Sequence, residues 1–378
     1  MTTPLYRQHN APPKPPDGCH LGLWYTNFFN RYNDQWTLDA TAKSDWISSI
    51  AHKQCGDSTA LEQQALRLLQ LVQTLNGQFA ICQTNWHFAT GLGLPHPVEN
   101  GLAWHPTLGV PFIAGSGMKG LLRAWVEVWD ETDRAQRLIN WFGEQEQAGQ
   151  LIFFDAIPTK LVRLTTDIMT PHWGKWYEQG HDIPGQTMAT VLKQPDRLPA
   201  DWHEPVPVPF LAVKPNTPFF VAVAARNNDH KLAQTALNAL IDALQWLGAG
   251  AKTAAGYGHM IRDESAEQYL LAQLAKAEKE RQRLLEEQQQ AEQIQQLPDF
   301  IQVVIQESPP EEDYITLSNA LKKGRWQNNR EQEQQVAEYT KKRMQEAGKW
   351  KETSNAKNPK KDKDHQRTEA VNKICRNV

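Results

Sequence analysis

Apolar positions along the chain change period several times, and each change marks an element. In residues 61–75, Leu61, Ala65, Leu68, Leu69 and Val72 fall at helical spacing, and Asn76-Gly77 closes the run. Residues 79–88 are rich in aromatic and apolar types and read as a strand. Turn formers crowd the next twenty positions: Gly91, Gly93, Pro95, Pro97, Asn100, Gly101, Pro106 and Gly109. A short strand at 110–113 runs into Gly115-Ser116-Gly117. A helix is expected over 118–130, with Leu121, Leu122, Trp125, Val126 and Trp129 among its apolar positions. Strands are expected at 151–157, 161–168 and 219–225, a helix at 231–247, and a closing strand at 259–262. Strands and helices in the order β-α-β-β-α-β predict an α+β, ferredoxin-like (RRM-like) core.

Around that core the pattern predicts appendages. Residues 1–76 read as an N-terminal arm, up to about Cys19, and a helix. The core spans 77–263, with Pro-, Gly-, His- and Trp-rich residues 169–209 as a long insertion. Residues 264–297, rich in Gln, Glu and Ala, read as one long polar helix. Residues 298–378 read as a small basic helical module, with a helix over 336–349 and low-complexity, disordered residues 355–363.

Composition narrows the class. No run of 18 apolar residues exists, and residues 1–16 lack the apolar stretch of a secretory leader, so a membrane role is excluded and a cytoplasmic location expected. The four cysteines are scattered without a CxxC pair, which argues against zinc and against a disulfide framework. The net charge of −3 hides an asymmetry: residues 321–378 carry 16 Lys and Arg against 8 Asp and Glu. Such a tail fits contact with an anionic polymer, and equally a solvated, partly disordered tail.

Two segments carry candidate chemistry. In the first, Gly115-Ser116-Gly117-Met118-Lys119-Gly120-Leu121-Leu122-Arg123, a strand ends in small residues beside a helix start, whose free N–H groups suit a phosphate. Lys119 and Arg123 share one face at i, i+4. The alternative is an ordinary tight turn with two solvent-facing cations. In the second, Gly248 to Gly258, the glycines Gly248, Gly250, Gly256 and Gly258 would let a backbone approach a ligand. Lys252 adds a charge, Thr253 a hydroxyl and Tyr257 a stacking face. The GK[ST] ending is missing and the loop follows a helix where a P-loop follows a strand, so it is not a Walker phosphate-binding loop.

Together, a strand–GSxxKGxxR–helix element and a C-terminal glycine-rich loop on a ferredoxin-like core resemble the RAMP superfamily of CRISPR-associated proteins. The stretches Gly91-Leu-Gly-Leu-Pro-His96-Pro-Val-Glu99-Asn100-Gly101, His105-Pro-Thr-Leu-Gly-Val-Pro-Phe-Ile113 and Met169-Thr-Pro-His172-Trp173 are similar to the sixth RAMP subunit of type III-B effector complexes. The resemblance covers about 79–262. It implies a non-catalytic RNA-binding subunit that caps the complex backbone near the 3′ end of the guide RNA, in antiviral defence. Its partners would be CRISPR guide RNA, target RNA, and the other RAMP backbone and small subunits. Ser116, Lys119, Arg123, the loop residues above, His96 and His172 would be the RNA-contacting set. In the family the loop before the helix often carries Pro and two serines; here it reads Ala114-Gly-Ser-Gly117, with the same backbone freedom.

His96, His105, His172, His181 and Glu99 invite a metal or acid–base role, but no tight ligand spacing joins them, and neither a metal nor a cofactor is expected. A metal-independent RAMP endoribonuclease would need a general base such as His96 or His172 near Lys119. A protein–protein scaffold would need the glycine loop only for packing. Trp125, Trp129 and Trp246 are expected in the core, whereas Trp173, Trp176 and Tyr177 of the insertion are expected on a partner or on bases. In a ferredoxin-like core, the Lys119 helix and the glycine loop are expected to form one surface.

Overall fold

The computed structural model describes residues 14–129, 133–179, 185–199, 202–306, 312–354 and 362–376. In chain order the elements are α1 (Leu21–Asn27), α2 (Ala42–Ile50), β1 (Gln54–Cys55), α3 (Ser58–Thr74), β2 (Gln78–Thr84), α4 (Gly115–Trp129), α5 (Arg134–Arg137), β3 (Leu151–Phe153), β4 (Ile157–Pro158) and β5 (Val162–Met169). There follow α6 (Gly174–Gln179), α7 (Met188–Val191), β6 (Val208–Val213), β7 (Pro218–Ala225), α8 (His230–Trp246), β8 (Met260–Arg262), α9 (Glu264–Gln295), α10 (Asp299–Gln306), α11 (Asp313–Lys322), α12 (Arg330–Glu346) and α13 (Lys363–Cys375). They form two compact units, Met1–Lys276 and Ala277–Val378.

The first unit is built on a sheet in the order β3-β7-β2-β8, with β4 also on β7, every pair antiparallel. With α4 and α8 as the crossovers, this is the ferredoxin-like topology expected from the sequence. All eight residues of β7 are buried, because both faces of the sheet are covered. Phe219, Val221 and Val223, with Ala80 and Cys82 of β2, face Met118, Leu122 and Val126 of α4 and Leu237, Leu240 and Leu244 of α8. Phe220, Ala222 and Ile81 alternate to the other face, against Ala65, Leu69 and Val72 of α3 and Leu270 and Leu274 of α9. Each such Phe, Val or Leu contributes about 1.5–3 kcal/mol by leaving water. Asp57 and Asp229 cap α3 and α8 by accepting N–H bonds from Ala60 and Leu232. Glu267, buried at the start of α9, accepts from the Ile81 N–H and, at 2.9 Å each, from Nε and Nη2 of Arg262, which fixes that helix to the sheet.

The edge strand opposite β8 is broken. Phe153 pairs with Val223 and Ile157 with Phe220, so four steps on one side match three on the other, the extra residue of a β-bulge. Asp155 lies in that bulge. The strand expected at 161–168 does form, but outside the core sheet: β5 pairs with β6 and β1 in a second, three-stranded sheet. The insertion lies between β5 and β6 and carries α6 and α7. The 110–113 strand is reduced to isolated bridges, Trp104 to Pro111 and Ile113 to Ala156.

The N-terminal region holds more structure than an arm and one helix. Trp24, Tyr25, Phe29, Trp46, Ile47 and Ile50 of the α1–α2 segment are buried in the same cluster as the α4 face. The second unit has its own core of Ile301, Val304, Ile305, Leu317, Leu321, Val336 and Val371. Of the segment expected to be disordered, 355–361 lie outside the described residues, and Asp362 caps α13. Part of the unit's basic charge is paired internally: Arg343 with Asp313 and Glu346, Lys351 with Asp362, and Arg367 with Asp364.

Candidate nucleic-acid interface

The helix bearing Lys119 starts three residues earlier than its apolar pattern indicates. The Gly115 N–H donates to the Asp155 carboxylate at 2.6 Å, so the bulge supplies the carboxylate that starts α4. This position of the helix N-terminus, expected to be open to phosphate, therefore already holds an anion. Ser116, Lys119 and Arg123 are exposed. The Lys119 ammonium donates to the Phe142 carbonyl at 2.8 Å, and Arg123 pairs with Glu127 at i, i+4. Lys119 keeps two further N–H donors. The Arg123 pair is a surface one, worth little and readily exchanged for a phosphate.

The glycine-rich loop folds tightly on itself and on the chain after β2. Ala251 bridges Ala89, the Ala249 N–H donates to Gly258 O, and the Gly258 N–H donates to His87 O. A Cβ on Gly250 would stand 2.2 Å from the Ala89 oxygen, and one on Gly258 1.8 Å from the Ala249 oxygen. These glycines therefore serve close backbone packing, which corrects the expectation that they admit a ligand. Gly256 differs: nothing lies within 4 Å of its Cβ position. Lys252, in the left-handed region at φ 62°, sets its ammonium 5.4 Å from the centre of the Phe210 ring. Thr253, half-buried, opens a short 3-10 turn.

Tyr257 is not the exposed stacking face the sequence suggests. It is 7% exposed, packs with Phe210 and Ala212, and donates its hydroxyl to Asp167 of β5. Partial burial pushes the Asp167 carboxyl up, but the Tyr257 hydroxyl, the Ile168 N–H and His87 outweigh it and hold the group below its ordinary range. Burial and the same carboxylate push the Tyr257 phenol up. His87 Nδ1 stands 3.7 Å from Asp167. This Tyr–Asp–His cluster ties the glycine loop to the second sheet.

The two cation-bearing segments are pinned at opposite edges of the main sheet. The start of α4 is held by the bulge between β3 and β4, and the loop leads into β8. Three strand spacings separate those edges, about 14 Å.

The histidines divide as well. His96 is structural: its Nε2 bonds the Tyr25 carbonyl at 2.9 Å, its Nδ1 accepts the Val98 N–H at 3.2 Å, and its ring stacks on Tyr25 at 4.2 Å. That arrangement requires the neutral ring, and burial lowers its pKa from 6.5. His105 is lowered in the same direction by burial, and its Nδ1 accepts from Leu108. His172 is exposed in the insertion, as are Trp173 and Tyr177; His181 lies outside the described residues.

A pH dependence follows. The unfolded chain takes up a proton at each ring near pH 6.5 while the folded chain resists it, so stability is full above that pH and falls as pH drops through the lowered values. The urea midpoint, measured on either side of pH 6.5, should fall less in a His96→Gln chain than in the wild type. An identical fall in both would remove His96 from the account.

Two tryptophans expected in the core stand outside it. Trp129 is 58% exposed, and Trp246, two positions past the last buried residue of α8, is 66% exposed. With Trp86, which the sequence pattern had placed inside a strand, Trp246 lines a groove beside Gly256. Helical spacing alone does not resolve Trp246, because at the last turn of a helix the apolar stripe has no further residue to fix its phase.

An antiparallel ferredoxin-like sheet, carrying a glycine loop at one edge and a lysine-bearing helix at the other, defines an α+β domain of ferredoxin-like topology. Residues 80–261 match the RAMP superfamily, so the core from β2 to β8 is a RAMP superfamily domain, and the chain is a homologue of Cmr6. The Cmr6 subunit of the Cmr CRISPR system of Pyrococcus furiosus is 38% identical over 130 residues, 33% of this chain and 34% of that protein. Cmr6 of Saccharolobus solfataricus is 30% identical over 79 residues, 20% of this chain and 27% of that protein. The chain thus spans about a third or less of the curated relatives it matches. Among solved structures, a type III-B Cmr-beta complex bound to cognate target RNA contains a chain 20% identical, with 58% of this chain and 71% of that chain covered and a TM-score of 0.46. No helix among the described residues is long and apolar enough to cross a membrane.

Proposed function

We propose that this chain is a non-catalytic RNA-binding subunit of a type III-B CRISPR effector complex, capping its backbone near the guide RNA 3′ end and holding guide and target RNA beside the neighbouring RAMP and small subunits. The observation that carries this reading is the homology to Cmr6, with both cation-bearing segments, 116–123 and 248–258, inside the matched RAMP domain. Exposed Lys119 and Arg123 and the half-buried Lys252 are the phosphate ligands in this reading. The non-catalytic part is supported by His96, whose ring nitrogens are both spent on backbone groups. A scaffold reading draws its support from Gly250 and Gly258, which pack on backbone.

Salt dependence separates the two readings. The full chain is titrated with single-stranded guide RNA over a range of salt. Lys119→Ala, Arg123→Ala and Lys252→Ala each remove one phosphate ligand, and each should flatten the slope of log K against log salt by about 0.7. Folded variants that all keep the wild-type slope would favour the scaffold. RNA should stay intact with and without Mg²⁺, and cleavage abolished by His172→Ala would overturn the non-catalytic assignment.

A further inference from the structure

Past the glycine loop, the surface at the β8 edge has a shape that phosphate binding does not explain. Asn85, Trp86, Gln245, Trp246, Gly256 and His259 line a cavity of about 370 Å³, together with Met260 and Ile261. The two indoles are 53% and 66% exposed, although the core beside them is densely packed. Trp86 follows the last residue of β2 by two positions, and Trp246 ends α8. The wall between them is fixed: His259 Nδ1 lies 2.8 Å from the Gln245 carbonyl, and the Asn85 N–H donates to the His259 carbonyl at 2.9 Å. Gly256 leaves the mouth open, since nothing occupies the space its Cβ would fill.

We propose that this groove is a stacking subsite for one unpaired nucleobase of the bound RNA. The inference deepens the RNA-binding reading and rests on it. A base offers two π-faces and a polar edge. The groove offers indole faces, which stack any base, and the exposed amides of Asn85 and Gln245, which donate and accept. Its volume lies at the small end of ligand sites, about 300–1,000 Å³. A folded protein partner would need about 800 Å² of surface on each side, far more than two side chains present. Neighbouring Lys252 would hold the adjoining phosphate, so stacking and charge act on consecutive groups of one strand.

The test uses the full chain and two short labelled probes of equal length: oligoadenylate, and the same backbone without bases. Trp246→Ala and Trp86→Ala should each weaken oligoadenylate binding about 5- to 150-fold without changing the salt slope. Trp→Phe replacements should retain most of the affinity. The abasic probe should bind the wild type weakly and ignore all four replacements. Should folded alanine variants bind oligoadenylate like the wild type while Lys252→Ala still flattens the slope, the RNA reading stands and the groove assignment falls. A wild type that binds neither probe overturns both. Tryptophan variants that keep full RNA affinity but lose a co-assembling protein would make the groove a protein contact and overturn the proposal. Should the alanine variants fail to fold, the probes decide on the wild type alone: equal affinity for both overturns the subsite.

Discussion

A Gly258→Ala chain is expected to be about 2–5 kcal/mol less stable in its first unit, a loss well beyond that of Gly256→Ala in the same loop. Two costs combine. The residue sits at φ +72°, where a side chain is strained, and the new Cβ would stand 1.8 Å from the Ala249 carbonyl oxygen. That oxygen is backbone and cannot swing aside. Relief would break the Ala249 N–H bond to Gly258 O at 2.9 Å or the Gly258 N–H bond to His87 O at 2.8 Å, both of which close the loop on the sheet. Gly256→Ala is the matched control. It has the same unfavourable sign of φ, at +90°, but open space around its Cβ, so only the conformational cost of about 1 kcal/mol remains. Denaturant midpoints measure the contrast. Equal losses for Gly258→Ala and Gly256→Ala would show that close packing does not set the loop's sequence.

This contrast marks what the linear pattern conveyed and what it did not. Periodicity located β7 and α8 to within one residue and α3 to within three, because each buries one continuous stripe or run, and the order of elements was sufficient for the ferredoxin-like topology. It could not assign β5 to the right sheet, since a strand of the second sheet alternates like one of the first. Nor did it single out α1 and α2: Leu21, Trp24 and Tyr25, and Ala42, Trp46, Ile47 and Ile50, do fall at helical spacing, but over helices of only 7 and 9 residues, too short for the period to stand out. Within the site, residue type indicated flexible glycines and cations but not their partners. Asp155 lies 40 residues from the Gly115 N–H it receives, and Asp167 lies 90 residues from the Tyr257 hydroxyl. Only the fold brings such pairs together. The same holds for Trp86 and Trp246, whose exposure depends on where a strand and a helix end.

Removing the Asp313 carboxylate is expected to unfold the helical unit selectively. Asp313 is 3% exposed, yet it accepts from Arg343 Nε at 2.8 Å and from the Tyr314 N–H at 2.6 Å. In Asp313→Ala the Arg343 guanidinium keeps only Glu346 among these ion pairs, and a buried N–H loses its acceptor. The cost is about 3 kcal/mol, at the low end for breaking a buried pair because Arg343 is a third exposed. Asp313→Asn, which retains an acceptor oxygen, should lose less. The residues around this pair belong to the cluster of Ile301, Leu317 and Val336, distinct from the clusters on the two faces of the main sheet. Calorimetry should therefore resolve two transitions, with Asp313→Ala lowering one and Gly258→Ala the other. A single transition moved by both replacements would mean that the two units unfold as one body. The Asp313→Ala chain also divides the function. At a temperature where only its helical unit has melted, RNA affinity and salt slope should persist if the phosphate ligands are Lys119, Arg123 and Lys252. A slope flattened by several phosphates under that condition would assign the phosphate ligands to the basic residues of 321–378.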